Sequence, residues 1–284
     1  EKRDIGMVFQ SYAIWPHMTV AQNVAYPLEI RKVEQSEIDD RVAEVLALVG
    51  LTAEADKLAT NLSGGQQQRA SLARAIVSKP RLLLFDEPLS NLDLKLREQM
   101  RVELKRIQNE VGITSIYVTH DQSEALVMSD EIIVMSKGKI EQRGNPLEIY
   151  SRPVNEYVSN FIGVANLLKA TVTTTNGSGQ GTVEVTQDGQ SIQVPCQIGP
   201  GIGEGDDAVL SLRPENVHAV RESDSTTSVE GEVTHAIFLG NYVDCRVKWG
   251  DFEWKVISHP RARLKAGEKV FLKFDPEHTL AVQP

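Results

Sequence analysis

The sequence predicts two domains, an α/β domain over residues 1–165 and an all-β barrel domain over residues 166–284. Three observations predict them: an all-apolar run that ends in two acids, helix-period apolar repeats on both sides of that run, and evenly spaced β-type runs later in the chain. The chain has 284 residues, of which 41% are hydrophobic and 24% charged. This composition is ordinary for a globular protein of more than one domain.

The apolar run Leu82–Phe85 lies at the centre of the predicted α/β domain. A short run that is apolar at every position is typical of a parallel strand buried on both faces. Asp86 and Glu87 follow it directly. Because ligand sites of open α/β sheets lie at the carboxyl ends of strands, we expect both carboxylates in a ligand crevice. An acidic pair without further context is more often an ordinary strand-to-loop turn.

Three amphipathic helices are predicted around this strand. The first begins with a cap at Ser36, the second follows Ser63–Gly65 and covers residues 66–78, and the third stops at Gly112. Two glycines at the mouth of the second helix let backbone N–H groups approach a phosphate, although this signal alone is weak. The apolar positions that we expect in the core are Ile38, Val42, Val45, Leu46, Val49, Leu92, Leu96, Met100, Leu104, Ile107 and Val111.

After residue 167 the sequence changes to short β-type runs separated by Gly- or Asp-rich turns. The predicted strands are 168–175, 182–186, 191–195, 208–212, 230–239, 241–249, 252–258 and 270–274. Short strands at even spacing favour a small barrel.

Three motifs follow one another at short spacing: LSGGQ at residues 62–66, LLLFDEP at residues 82–88 and SNLD at residues 90–93. In this order they resemble the motifs of the ATP-binding subunit of an ABC transporter. The resemblance covers residues 1–165. It implies an ABC ATPase domain with an α/β fold of the P-loop NTPase type, in which a helical subdomain occupies roughly residues 15–80.

The resemblance also implies catalytic and metal-binding residues. Glu87 would orient or deprotonate the attacking water, and His120, at the position of the switch histidine, would donate a hydrogen bond to the γ-phosphate. Asp86 and the Q-loop glutamine Gln10 would hold Mg²⁺ through water. The expected cofactors are therefore ATP and Mg²⁺, and the expected reaction is hydrolysis of ATP.

A second set of residues implies a dimer. In the family that the chain resembles, Ser63, Gly64, Gly65 and Gln66 would contact the γ-phosphate of a nucleotide held by a second copy. Asp93, the last residue of the D-loop motif, would also belong to the nucleotide site. The expected partners are a second ATPase subunit, transmembrane permease subunits and, indirectly, a solute-binding protein.

Two short pieces of the β-region, SLRPE at residues 211–215 and FLG at residues 238–240, resemble the transport-associated OB (TOBE) domain. This domain ends the ATPases of importers for carbohydrates, polyamines, ferric iron and similar solutes. The resemblance implies an OB-like regulatory domain over residues 166–284. The junction at residues 163–167 favours the iron or polyamine type, while the solute and any ligand of the barrel stay open.

The 284 residues contain no phosphate-binding loop of the form G-x-x-x-x-G-K-[ST], since no lysine is followed by Ser or Thr. The resemblance places this loop upstream of Glu1, so we expect a fragment that does not hydrolyse ATP by itself. An alternative is a non-catalytic regulatory or ligand-binding protein, against which the intact Glu87, His120 and signature motif argue. A soluble ABC protein is also disfavoured, because such proteins usually carry two cassettes in one chain.

Charge and cysteine content narrow the remaining classes. The formal net charge is −9, and both predicted domains are mildly acidic, so we expect no nucleic-acid partner. Cys196 and Cys245 are too few for a disulfide framework, which favours buried thiols in a reducing compartment. No apolar run is long enough to cross a membrane. We therefore expect a cytoplasmic protein that its partners hold on the inner face of the membrane.

Overall fold

The computed structural model describes residues 4–222 and 228–284, and the chain divides into two compact units, Glu1–Asp130 and Glu131–Pro284. The domain boundary predicted from the sequence, between residues 165 and 166, lies further along the chain. The stretch between the two positions forms a β-hairpin and two short helices that are compact with the β-rich unit. The division into an α/β domain and a barrel domain between residues 165 and 166 therefore stays a prediction.

The first unit has the predicted α/β architecture. Its elements are β1 (Ile5–Val8), α1 (Val20–Ile30), α2 (Gln35–Leu48), α3 (Gly64–Ile76), β2 (Leu82–Asp86), α4 (Leu94–Val111), β3 (Ser115–Val118) and α5 (Gln122–Met128). The strands form one parallel sheet in the order β1-β2-β3. In its register Val8 pairs with Phe85, and Asp86 pairs with Val118. All three strands therefore end at the same edge of the sheet.

The central strand β2 anchors the core of this unit. Leu83 and Phe85 are each only 3% exposed, while Leu82 and Leu84 on the opposite face are partly buried. Phe85 packs against the ring of Tyr117 on β3, with ring centroids 5.3 Å apart. The predicted apolar strand is confirmed, and its burial fixes the position of the acids that follow it.

Helix ends in the first unit agree with the sequence at one predicted position and disagree at another. Helix α4 ends at Gly112, whose φ of 66° lies in the left-handed region that glycine adopts without a Cβ penalty. The predicted cap at Ser36 is wrong, because α2 begins at Gln35 and Ser36 lies inside the helix. Glu34 is the N-cap residue and makes no side-chain cap bond. The start of α2 is therefore not set by hydroxyl capping.

The second unit is dominated by β-structure. Its elements are β4 (Ile132–Ser136), β5 (Lys139–Gly144), α6 (Pro146–Ser151), α7 (Glu156–Phe161), β6 (Asn166–Thr175), β7 (Gln180–Gln187), β8 (Gln190–Ile198), β9 (Asp207–Leu212), β10 (Val217–Val220), β11 (Val229–Phe238), β12 (Val243–Trp249), β13 (Phe252–Ser258), β14 (Lys269–Phe274) and β15 (Thr279–Val282). Every strand predicted after residue 167 overlaps one of these.

The β-region forms a closed barrel and a separate sheet. The barrel has the order β15-β8-β7-β6-β9, and the sheet has the order β10-β14-β11-β12-β13. The two parts share one apolar core, in which Leu210 and Trp254 are fully buried. Asn166 joins them directly: its amide oxygen accepts from Lys255 N at 2.7 Å and its amide nitrogen donates to Lys255 O at 2.9 Å. The predicted barrel is confirmed, with a five-stranded sheet packed beside it.

Candidate functional site

The two acids at the end of β2 lie at the carboxyl edge of the parallel sheet. Asp86 is the last residue of the strand and is exposed, while Glu87 is partly buried and has a left-handed φ of 44°. The Glu87 backbone is held on both sides, because its N–H donates to Val118 O at 2.9 Å and its carbonyl accepts from Ser90 Oγ at 2.8 Å. A left-handed conformation is uncommon for glutamate, and residues with such backbone strain cluster at functional sites.

His120 lies at the same edge, two residues after the end of β3. Its Nδ1 lies 3.2 Å from Glu87 Oε2, within reach of a hydrogen bond when that nitrogen carries a proton. The histidine side chain is largely exposed, and that of Glu87 is about two-thirds covered. The sheet therefore brings together the two residues that the sequence assigns to catalysis.

Gln10 follows β1 and is exposed at the third strand end. Its carbonyl accepts a hydrogen bond from Asn91 Nδ2 at 2.8 Å. Asn91 lies in the SNLD segment, so this bond ties the Q-loop to the D-loop. Gln10 and Glu87 thus follow neighbouring strands at one edge of the sheet, and Asp86 is the last residue of the second of these strands.

The signature segment forms the N-terminus of α3. Ser63 Oγ accepts from Gln66 N at 3.4 Å, and Ser63 N donates to Gln66 Oε1 at 2.9 Å, which makes a capping box. Both side chains thus satisfy the first turn of the helix. Among the residues that the structure describes, no hydrogen bond joins this segment to Glu87 or His120 of the same chain.

The two glycines of the signature segment also have a packing reason. A Cβ atom on Gly64 would lie 3.2 Å from Leu92 Cδ2, and one on Gly65 would lie 3.1 Å from Leu96 Cδ1. Such contacts are tighter than ordinary van der Waals packing. A larger residue at either position would make the leucine side chain shift, so the packing of α3 against the start of α4 favours glycine here, in addition to any role with a phosphate.

Asp93 begins helix α4. Its Oδ1 accepts a hydrogen bond from Leu96 N at 2.9 Å, which makes Asp93 the N-cap of the helix. The residue is exposed. Its predicted role with nucleotide stays a prediction, since within one chain its side chain serves as a cap.

A buried acid behind His120 is absent from the sequence-based prediction. Glu124 is 2% exposed, and its Oε2 accepts from Thr119 Oγ1 at 2.8 Å and from Tyr117 Oη at 3.1 Å. Burial, together with the charge and hydrogen bond of Glu124, raises the pKa of Tyr117, so the phenol stays a donor. One feature of the sequence could have indicated it: Glu124 follows His120 by one helical turn and precedes the apolar residues of α5.

Asp121, directly after His120, caps α5. Its Oδ1 accepts from Ser123 N at 2.8 Å and from Glu124 N at 3.2 Å. Partial burial acts to raise the pKa of Asp121, but these two backbone bonds and the charge of Arg101 outweigh it and hold the pKa below its usual value. Asp121 is therefore ionised at neutral pH and fixes the backbone beside the histidine.

The acids at the sheet edge fit a magnesium ion that a nucleotide shares. In the described parts of the chain no cluster of three or more His, Cys, Asp or Glu residues could hold a metal by itself. Mg²⁺ is usually held by one or two carboxylates together with water and substrate phosphates, so it does not need such a cluster. The exposed carboxylate of Asp86 and the amide oxygen of Gln10 are ligands of the right chemistry.

Comparison with known proteins identifies the family. The profile described as ABC transporter matches residues 1–90, and the profile described as TOBE domain matches residues 210–282. An uncharacterized ABC transporter ATP-binding protein of Sinorhizobium fredii, y4oS, is 42% identical over 274 residues, which cover 96% of this chain and 71% of that protein. The chain belongs to the ABC transporter ATP-binding proteins. The family and the C-terminal TOBE domain predicted from the sequence are thereby confirmed.

Two further ABC proteins match the chain over different lengths. The spermidine/putrescine import ATP-binding protein PotA of Thermobifida fusca is 44% identical over 288 residues, which cover 98% of this chain and 73% of that protein. The solved structure of cbiO1 from Clostridium perfringens, part of the ABC transporter complex cbiONQ, is 33% identical with a TM-score of 0.48. That match covers 51% of this chain and 59% of the solved chain. ABC ATP-binding proteins are ATP-hydrolysing transport ATPases, and this is the class to which the chain belongs.

Within residues 4–222 and 228–284, no helix is both long enough and apolar enough to cross a bilayer.

Proposed function

We propose that this chain is part of the subunit that hydrolyses ATP to drive an ABC importer. The observation that carries the proposal is the contact of 3.2 Å between His120 Nδ1 and Glu87 Oε2 at the carboxyl edge of the sheet. Asp86 ends β2 directly before Glu87, and Gln10 follows the neighbouring strand β1. An acid, a histidine, a metal-binding carboxylate and an amide can orient water, contact a phosphate and hold Mg²⁺ in hydrolysis of a nucleoside triphosphate.

In the proposed mechanism Glu87 orients the attacking water and accepts its proton. Its fixed backbone keeps the carboxylate in one place, which is the main contribution that a protein makes to phosphoryl transfer. His120 donates a hydrogen bond to the γ-phosphate and thereby stabilises its charge. Asp86 and Gln10 would hold Mg²⁺ through water. The bound ion would neutralise charge on the phosphates of ATP.

The signature segment is proposed to act on a second copy. Ser63, Gly64, Gly65 and Gln66 stand at the N-terminus of α3, where backbone N–H groups and the helix dipole favour an anion. They would contact the γ-phosphate of the nucleotide bound to the partner, and Asp93 at the start of α4 would lie beside the same site. The active unit is then a homodimer with two ATP molecules.

We further propose the cellular setting. The assembled transporter would contain two copies of the subunit, transmembrane permease subunits and, indirectly, a solute-binding protein. The ATPase subunit would lie in the cytoplasm on the inner face of the membrane. Because the PotA relatives are named for import of spermidine and putrescine, a polyamine is the first solute to test.

The ATPase activity is tested with two forms of the protein. The chain of 284 residues is expected to show no hydrolysis, since none of its lysines belongs to a G-x-x-x-x-G-K-[ST] loop. A longer form joined to an upstream segment with that loop is expected to hydrolyse ATP. Glu87→Gln in the longer form should lower kcat at least about a hundredfold while ATP binding persists, because the substitution keeps size and removes the base. Retention of full activity by Glu87→Gln would overturn the mechanism.

Transport is tested separately. Uptake of labelled spermidine and putrescine is measured in cells that produce the whole transporter, with the Glu87→Gln subunit as the inactive control. Polyamine uptake with the wild-type subunit but not with the Glu87→Gln subunit supports the polyamine proposal. ATP hydrolysis without polyamine uptake would leave the ATPase proposal standing and refute the proposed solute.

A further inference from the structure

Arg97 contacts two of the segments that carry the proposed catalytic residues. On the D-loop side, its Nη2 donates to Leu92 O at 3.1 Å and to Ser90 O at 3.4 Å. On the switch side, its Nη1 donates to Asp121 Oδ2 at 3.4 Å. The side chain is only 25% exposed. Arg97 therefore bridges two loops from its place in the first turns of α4.

Each end of this bridge is close in sequence to a catalytic residue. Ser90 lies in the turn after Glu87, and its backbone N–H and Oγ both bond to the Glu87 carbonyl. Asp121 follows His120 directly and caps α5. A shift of Ser90 would disturb the backbone of Glu87, to which it is hydrogen-bonded. A shift of Asp121 would move His120, which directly precedes it. The bridge thus spans the two sides of the contact between Glu87 and His120.

The shape of the arginine side chain suits this task. A guanidinium group has several N–H donors in a rigid plane, so one residue can reach two carbonyl oxygens and a carboxylate at once. The ammonium group of lysine could keep the attraction to Asp121, but it is a compact point charge that does not reproduce the planar fork. Arg101 lies 3.9 Å from the same carboxylate, on the switch side of the bridge.

We infer that Arg97 is a positioning residue that sets the spacing between Glu87 and His120 by holding the D-loop and the switch loop together. This inference rests on the proposed function, since it assigns Arg97 a part in ATP hydrolysis. Arg97 does not itself touch the proposed reacting groups. Its effect on the reaction passes through Ser90 and Leu92 on one side and Asp121 on the other.

The first test uses the 284-residue chain and needs no ATPase activity. Hydrogen exchange of backbone amides is compared between wild type, Arg97→Lys and Arg106→Lys. Arg106 is the matched control, because it lies on the same helix and donates to a distant carbonyl, that of Leu48 at 3.0 Å. We expect Arg97→Lys to speed exchange about tenfold in both residues 88–92 and residues 120–125, in line with the loss of charge-assisted hydrogen bonds.

The outcome of the exchange experiment decides whether the bridge exists in solution. Faster exchange in both segments for Arg97→Lys, with neither affected by Arg106→Lys, supports the inference. Faster exchange in one segment only, or equal effects of the two substitutions, overturns it.

The second test measures catalysis in the longer form that carries the upstream phosphate-binding loop. Arg97→Lys is expected to lower kcat about ten- to a hundredfold and to change the KM for ATP less than about twofold, because displaced catalytic groups affect the chemical step more than binding. Combining Arg97→Lys with Asp121→Asn should cost less than the product of the two single effects, since both remove the same contact. Arg106→Lys should leave kcat within about twofold of wild type.

The two tests separate failure of the inference from failure of the proposed function. Wild-type kcat in Arg97→Lys overturns the positioning role even if exchange is faster. A longer form that hydrolyses no ATP at all refutes the proposed function, and the positioning role in catalysis is then refuted with it. A kcat loss equal to that of Arg106→Lys also overturns the inference.

Discussion

Arg213 gives the most demanding stability prediction for the second unit. The residue is 5% exposed, and its guanidinium donates to Tyr150 O at 2.8 Å, to Ser159 O at 3.1 Å and to Val164 O at 3.2 Å. Its charge lies 4.3 Å from the centroid of the Tyr150 ring. Burial lowers the pKa of Arg213, but arginine stays protonated in proteins. The side chain therefore ties α6, α7 and the turn after α7 to the end of β9.

The expected effect of Arg213→Ala follows from these contacts. A hydrogen bond to a charged group contributes about 1.5–3 kcal/mol, so three acceptors give an upper limit of about 9 kcal/mol. Val164 is exposed, and water can replace the lost donor at its carbonyl. Ser159 is fully buried, so the carbonyl of that residue has less access to water. We expect the free energy of unfolding of this unit to fall by about 3–5 kcal/mol. Arg213→Lys should lower the free energy of unfolding by about half as much, because lysine keeps the positive charge but lacks the planar set of guanidinium donors.

The assay is urea denaturation followed by tryptophan fluorescence in a Trp15→Phe background. The remaining tryptophans, Trp249 and Trp254, are both buried in the second unit and report on its unfolding. The control is Arg221→Ala, which removes a mostly exposed arginine paired with Glu268 and should cost less than about 1 kcal/mol. A loss below about 1 kcal/mol for Arg213→Ala, or one equal to the control, would refute the reasoning.

Two further predictions concern buried polar and sulfur groups. Gln68 is fully buried and neither of its amide atoms has a hydrogen-bond partner among the described residues, so Gln68→Leu should raise the free energy of unfolding by about 1–2 kcal/mol in urea denaturation. A decrease would contradict this. Burial raises the pKa of Cys196 to about 12 and also raises that of Cys245, so neither thiol should react with an aromatic disulfide reagent near about pH 8 until denaturant is added. Rapid reaction of the native protein would contradict the placement of either thiol.

The strands and helices with a clear apolar period could be predicted from the sequence. Strand β2, helix α4 and the long strands of the barrel region each carry enough apolar residues to define a face without knowledge of neighbours. Among the strands that were not predicted, β10 and β15 have four residues each and are defined by pairing with β14 and β9. Such short strands have too few residues to show a period. Their prediction requires the register of distant partners.

Helix α1 was missed for a different reason. Pro27 lies inside it, and an interior proline usually ends or kinks a helix. The helix is started by Thr19, which forms a capping box with Gln22, and held by Val24 and Leu28 in the core. Here packing outweighs the local cost of proline, which only the fold can show.

In the candidate site, too, residues of sequence motifs were predicted and residues defined by tertiary contacts were missed. The acids Asp86 and Glu87 could be placed at a ligand edge because they end an apolar strand, whereas Gln10 and His120 were assigned through the resemblance to ABC ATPases. Their predicted roles with nucleotide stay predictions. The buried Glu124, which binds Thr119 beside His120, was not predicted, because its hydrogen-bond partners are set by tertiary packing.

The turn after Gln10 explains why such contacts escape sequence reasoning. Tyr12 and Ala13 both have a left-handed backbone, with φ of 61° and 48°, which costs roughly 1–2 kcal/mol for each residue other than glycine. Their carbonyls are held by α3, since Arg74 donates to Ala13 O at 2.6 Å and to Tyr12 O at 2.9 Å, and Ser71 Oγ donates to Tyr12 O at 2.8 Å. Charge-assisted bonds of this kind are strong enough to offset the strain. Because every residue has a backbone carbonyl, the sequence does not indicate which carbonyls accept these hydrogen bonds. Only the fold reveals that Arg74 and Ser71 join the signature helix to the Q-loop.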